Sequence, residues 1–230
     1  MIQQYNYVIP PFSTIWWFGL IIPPIIIISI LFGATKLDRK WEHRLCISLG
    51  ILMLFRKVWQ DYLYQSSGVW TLSENLPLHW CGLTSILGAI CLLYRYQLGF
   101  ELLIMVGIPG AIHGILTPQA TVGNNLLLIE YYSSHSGIML ASLYLYYIKN
   151  MKIRKTSWLF CILIGQASLI VVGIINYFLD TNYIFLCQKP SVNNPFLIGE
   201  WPFYIIFAQL AAIVHIIFFY YLFYNRKSNN

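Results

Sequence analysis

The chain has 230 residues, of which 58% are hydrophobic, 17% aromatic and only 10% charged. That leaves too little polar surface to cover a water-soluble globule of this length, so the chain requires lipid as a second solvent. Its net charge of +6 is divided among four separate places in the sequence, which argues against a nucleic-acid partner.

A helix rising about 1.5 Å per residue needs roughly 20 apolar residues to cross a hydrocarbon core of about 30 Å. Backbone amides facing lipid must be satisfied within their own segment, so an all-α, polytopic membrane bundle is predicted. Seven spans are expected, at residues 15–33, 44–64, 77–95, 101–118, 129–148, 157–179 and 201–224. No positive n-region precedes the first, so it is read as retained and not as a cleaved signal peptide. The second carries Arg56, Lys57 and Asp61 inside its hydrophobic pattern. Lys57 and Asp61, four residues apart, can pair along the helix, while Arg56 points elsewhere, to a buried salt bridge or a substrate phosphate. In the fourth span Gly107, Gly110 and Gly114 share one face, as at close-packed membrane helix interfaces, and Pro109 should kink the helix and free a carbonyl. Residues 180–200 form the longest stretch outside the spans. Their turn formers at Lys189-Pro190 and Asn193-Asn194-Pro195 suggest a structured cap, with an ordinary flexible loop as the alternative. With no internal repeat, residues 1–230 are read as one helical domain.

Orientation follows from the basic residues. Lys36, Arg39, Lys40 and Arg44 lie between spans one and two, Arg95 between three and four, and Lys149, Lys152, Arg154 and Lys155 between five and six. Arg226 and Lys227 are in the tail, and the opposite side holds only Lys189. The positive-inside rule then places the N-terminus outside and the C-terminus in the cytoplasm, in agreement with seven crossings of a bacterial plasma membrane. Among five cysteines, only Cys81 and Cys187 fall on the predicted external side, and no bridge between them is expected.

With this topology the polar residues of the spans collect near the external boundary. Asp61, His79, Cys81, His113, Glu130, His135 and Asn176 each lie within roughly 10 Å of it. Asp180, Asn182, Tyr183, Glu200 and Trp201 stand just above. Any one of them is explained by snorkelling or by an interfacial aromatic belt. As a set they point to a polar cavity, because ionisable groups within spans usually face a bundle interior and mark function. His43 in a basic loop and His215 deep in span seven are read as structural.

His79, His113 and His135 are the candidate acid/base or nucleophilic residues, with Cys81 as a candidate nucleophile served by one of them. Cys81 as a small packing residue is the competing reading. Zinc held by the three imidazoles ranks below metal-free chemistry, because His-x-x-x-His spacing is missing, and no cofactor is called for. Arg56, Asp61, Asn176, Asn182, Tyr183, Glu200 and Trp201 are the candidate substrate-binding residues.

Several short stretches also carry a resemblance: Leu76-Pro77-Leu78-His79-Trp80-Cys81, His113 with Leu116-Thr117-Pro118, Ser134-His135, Asn176-Tyr177, Thr181-Asn182-Tyr183, Lys189-Pro190 and Gly199-Glu200-Trp201-Pro202. Taken in this order they resemble the YwaF-type bacterial integral membrane proteins, whose animal relative is a transmembrane acyltransferase that remodels ether phospholipids. The resemblance implies a heptahelical protein handling lipid acyl chains, with membrane lipids as partners. His79 matches the animal motif, whereas the motif's cysteine falls at Leu78, so Cys81 is not its direct equivalent. The resulting expectation is a lipid acyltransferase or acyl hydrolase working in the external half of the bilayer. A transporter or ligand-binding protein using the same polar layer, or an assembly partner without chemistry, are the rival expectations; the oligomeric state is open.

Overall fold

Short polar side chains set the first helix boundaries. Ser13 accepts from the Trp16 N–H at 3.3 Å and opens α1 (Thr14–Ala34). Asp38 accepts from the Lys40 and Trp41 N–H groups, both at 2.9 Å, and opens α2 (Arg39–Ser66); each bond satisfies an amide that a helix start leaves orphaned. Further along are α3 (Trp80–Tyr94), α4 (Gln97–Leu116), α5 (Asn125–Tyr147), α6 (Ser157–Leu179) and α7 (Phe203–Phe223). The computed structural model describes residues 7–120, 125–190, 192 and 194–224. Asn193 of the expected turn, and Arg226 and Lys227 of the basic tail, lie outside the described residues.

These seven helices fall on the seven predicted spans, and the largest difference in boundary is at α2, which begins at Arg39 because Asp38 caps it there. Four of them, α1, α4, α6 and α7, are long and apolar enough to cross a membrane. The apolar α3 is shorter, at 15 residues, while α2 and α5 carry ionisable residues along their length. The chain is an all-α helical bundle of membrane-spanning character. A two-residue antiparallel pairing of Tyr7–Val8 with Gln119–Ala120 ties the start of the described chain to the end of α4. The Trp16 indole reinforces this tie by donating to Leu116 O at 2.9 Å.

The centre of the bundle is α3, α4 and α5, with α2 packed along α3 and α5. In α4, 61% of the most apolar stretch is buried, against 11% in α6 and 17% in α7, so the last two lie at the outside of the bundle with mostly exposed apolar faces. Within α4, residues Leu103–Gly107 form a π turn in which the Ile108 N–H reaches back to Leu103 O. Pro109 lies just beyond it and has no N–H to give the preceding turn. The expected disturbance at Pro109 is therefore a widened turn. Ser142 of α5 sends its hydroxyl toward the Leu103 carbonyl at 3.4 Å.

At the end that carries the basic loops, partly buried ion pairs close the bundle. Glu42 accepts from Tyr144 Oη and Lys149 Nζ, each at 2.6 Å. Glu101, fully buried, accepts from Gln97 Nε2 at 2.8 Å and from Arg154 through its backbone N, Nε and Nη2 at 3.1, 2.8 and 2.7 Å. Removing the Arg154 side chain would take away the cationic partner of this buried carboxylate. Arg154→Ala is expected to destabilise by roughly 2–3 kcal/mol, less than for a fully enclosed pair because the guanidinium is half exposed. Thermal unfolding in detergent checks this, and Glu101→Gln in the same background should recover most of the loss.

Candidate active site

At the opposite end, the described residues between 180 and 200 fold over the helix mouths as a built cap. Asp180 takes a left-handed conformation and ends α6. Asn176, buried in the last turn, then organises the chain that follows: its Oδ1 accepts from the Thr181 hydroxyl at 2.8 Å and the Tyr183 N–H at 2.9 Å, and its Nδ2 donates to Tyr183 O at 2.9 Å. Tyr183 passes this order across the mouth, because its hydroxyl donates to Leu72 O and accepts from the Leu76 N–H at 3.0 Å. Burial pushes the Tyr183 phenol up; the Leu76 N–H works against this and the Glu74 charge with it, for a result of about 12 that keeps the donor protonated. Ile184 adopts φ +58°, a conformation that costs a β-branched residue of order 1–2 kcal/mol. In this position its N–H donates to His79 Nδ1 at 3.3 Å.

Beneath the cap is a cavity of about 510 Å³ lined from α2, the segment before α3, the start of α3, α4, α5, α6 at Leu169, the cap and α7. His79, Cys81, His113, His135, Arg56 and Asn182 all contribute to its wall. The other predicted site residues do not. Asn176 and Tyr183 are buried in the scaffold of the cap. Asp61 is paired with Lys57 at 2.6 Å and partly exposed, Glu200 is almost wholly exposed with Lys189 at 3.3 Å, and the exposed Trp201 donates its indole N–H to Leu186 O at 3.0 Å.

Each histidine is held differently. His135 Nδ1 lies 2.8 Å from Tyr131 O, and the Tyr131 hydroxyl donates to Gly114 O at 2.8 Å. A Cβ at position 114 would overlap the His135 ring, so glycine is required for the approach of α4 to α5. Gly107 packs similarly against Ile138, but Gly110 meets nothing on that side and opens onto the cavity. The expected packing role thus applies to two of the three glycines. His113 Nε2 lies 3.1 Å from His215 Nε2, with the cap's Phe196 ring edge-on to both imidazoles. Cys81 Sγ lies 3.9 Å from Gly110 O, packs against the hydrophobic core, and makes no hydrogen bond to a histidine among the described residues. All five cysteines are unbridged. No group of three His, Cys, Asp or Glu side chains is gathered as a metal site among the described residues.

Residues 10–220 match the TMEM164 family, a family of transmembrane proteins. The chain belongs to that family. No curated protein and no solved structure matches it. The match takes in the first six helices and α7 as far as Tyr220, so the cavity and its cap lie within the matched region.

In this TMEM164-family protein His215, read from the sequence as structural, makes a contact with His113 that the sequence does not predict. Depth along α7 concealed the contact, because sequence gives no stagger between helices. His215, with Phe196, also lines a second, largely apolar cavity of about 280 Å³ that shares His113, Gly110 and Trp80 with the first. Arg56 is bound to Glu130 of α5 in a buried pair and donates to Ser85 of α3 at 2.8 Å. This is the salt-bridge alternative for Arg56, and Glu130 lines the cavity beside it. Removing either partner alone leaves an uncompensated charge. Arg56→Met is expected to cost about 3–5 kcal/mol, and Arg56→Met with Glu130→Gln much less, by detergent unfolding of the four members of the cycle. Gly114→Ala, which drives a methyl into the His135 ring, should cost about 1–3 kcal/mol in the same assay.

Proposed function

We propose that this protein is a membrane-embedded lipid acyltransferase or acyl hydrolase whose polar cavity works in the external half of the bilayer. The observation that carries this reading is the convergence of His79, His113 and His135 on one capped cavity. An apolar cavity adjoins it through shared walls at Trp80, Gly110 and His113. Ester chemistry on a lipid requires both environments: polar groups at the scissile carbonyl and an apolar space for the hydrocarbon. The sequence resemblance to the YwaF-type proteins and their ether-phospholipid acyltransferase relative supports the same substrate class.

Within this reading, His79 is held by the Ile184 N–H at Nδ1, so its neutral ring carries the proton on Nε2 and is suited to donate to an oxygen that gains negative charge. A histidine base activates the attacking group. Cys81, without a histidine partner, packs against α4 instead of acting as a nucleophile. The reacting lipid enters from the surrounding bilayer, and the reading calls for no cofactor.

Lipid mass spectrometry on membranes from cells lacking the protein, overproducing it, or carrying His79→Ala at matched abundance tests the reading. One lipid class is expected to change its acyl composition with the wild type and not with the variant. If no lipid changes under any of these conditions, the acyl-transfer reading falls; if His79→Ala changes the lipids as the wild type does, His79 is removed from the mechanism.

A further inference from the structure

His215 lies in the middle of α7, and its Nδ1 is 2.6 Å from Ala211 O. A carbonyl oxygen only accepts, so this nitrogen carries the ring proton. A neutral imidazole has one N–H, and His215 Nε2 is therefore a lone pair. It faces His113 Nε2 at 3.1 Å. That nitrogen must then be the donor, which leaves the lone pair of His113 on Nδ1. No hydrogen-bond partner occupies Nδ1 among the described residues, and His113 lines both cavities. Phe196 stands edge-on to the two rings, 5.4 Å from His113 and 5.5 Å from His215, and covers the pair from the cap.

We infer that His215 is a positioning residue that fixes the tautomer of His113 and so presents the His113 Nδ1 lone pair to the cavity as the general base. The order of groups is Ala211 carbonyl, His215, His113 and then the reacting hydroxyl. A backbone carbonyl and a second imidazole here do for His113 what an acidic side chain does for the base of a hydrolytic triad. The other two histidines are less suited to this role. His79 presents an N–H, and the Nε2 edge of His135 is pressed against Gly114.

This inference rests on the acyl-transfer reading, and its chemistry balances within it. As the hydroxyl oxygen of the acyl acceptor, an alcohol or water, bonds to the acyl carbon, its proton passes to His113 Nδ1. The imidazolium keeps its Nε2–H directed at His215. As the bond between the acyl carbon and the departing oxygen breaks, His113 Nδ1 returns the proton to that oxygen. His215 touches neither reactant and acts only through His113.

The experiment is histidine-selective 15N NMR of the full chain in lipid nanodiscs at alkaline pH, combined with acyl-transfer kinetics on a phospholipid vesicle extract. The wild type should show the Nε2–H tautomer at His113 and the Nδ1–H tautomer at His215. His215→Phe, which keeps the ring but removes the acceptor, should mix the His113 tautomers and lower kcat roughly 10–100-fold with KM little changed. His215→Gln, whose amide oxygen can accept from His113 Nε2, should regain most of the rate. An Nδ1–H tautomer at His113 in the wild type overturns the inference whatever the turnover. Wild-type kcat in a folded His215→Phe protein also overturns it. Expected tautomers in a wild type that turns over no lipid would instead overturn the acyl-transfer reading, and with it the base role of His113.

Discussion

One cation buried in the apolar bundle constrains everything around it. Arg56 of α2 is bound to Glu130 of α5 and donates to Ser85 of α3, so three helices meet at a charge that none could hold alone in hydrocarbon. A charged pair in such surroundings persists only while its partners stay in place, here with Arg56 Nε left without a hydrogen-bond partner among the described residues. Its position therefore fixes the rotation of α2, α3 and α5 about their axes. Cys81 lies one turn before Ser85 on α3, and Ser134 and His135 lie one turn beyond Glu130 on α5. The ion pair orients the faces from which the cavity wall is built.

The cap is fixed in the opposite way, by neutral hydrogen bonds spent largely on backbone groups. Asn176 ends one helix and templates the chain that follows, and Tyr183 carries that order to the strand of chain before α3. His79 is reached last, through the Ile184 amide. Asn176 and Tyr183, polar and near the boundary, form the framework that holds the cavity-lining His79 in place. Asn176 and Tyr183 look the same in sequence whether they touch a substrate or a backbone, since type and depth are identical in the two cases.

The helices were legible because hydropathy, loop charge and caps all act locally along the chain. Lys57 and Asp61 were legible as a pair for the same reason, being four residues apart on one helix. The partner of Arg56 and the meeting of His113 with His215 were not. His113 is three residues before the end of α4 and His215 twelve after the start of α7, so straight helices of equal depth would separate them by about 13 Å. Their contact requires α4 to end well below the point where α7 begins, a stagger that no periodicity records. The cavity is accordingly deeper than a layer at the boundary, reaching down α7 to Ala212.

The π turn at Leu103–Gly107 bears on how the two ends of α4 are aimed. Each residue advances an α-helix by about 100°, and a π turn accommodates one residue beyond the regular count. The half of α4 holding Glu101 is therefore out of phase with the half holding Gly110, His113 and Gly114. The first half answers to Arg154 and the basic loops; the second answers to His135, His215 and the cavity. A wide turn between them acts as a phase adjuster, so that one continuous rod can satisfy two angular settings that a regular helix of the same length could not meet together.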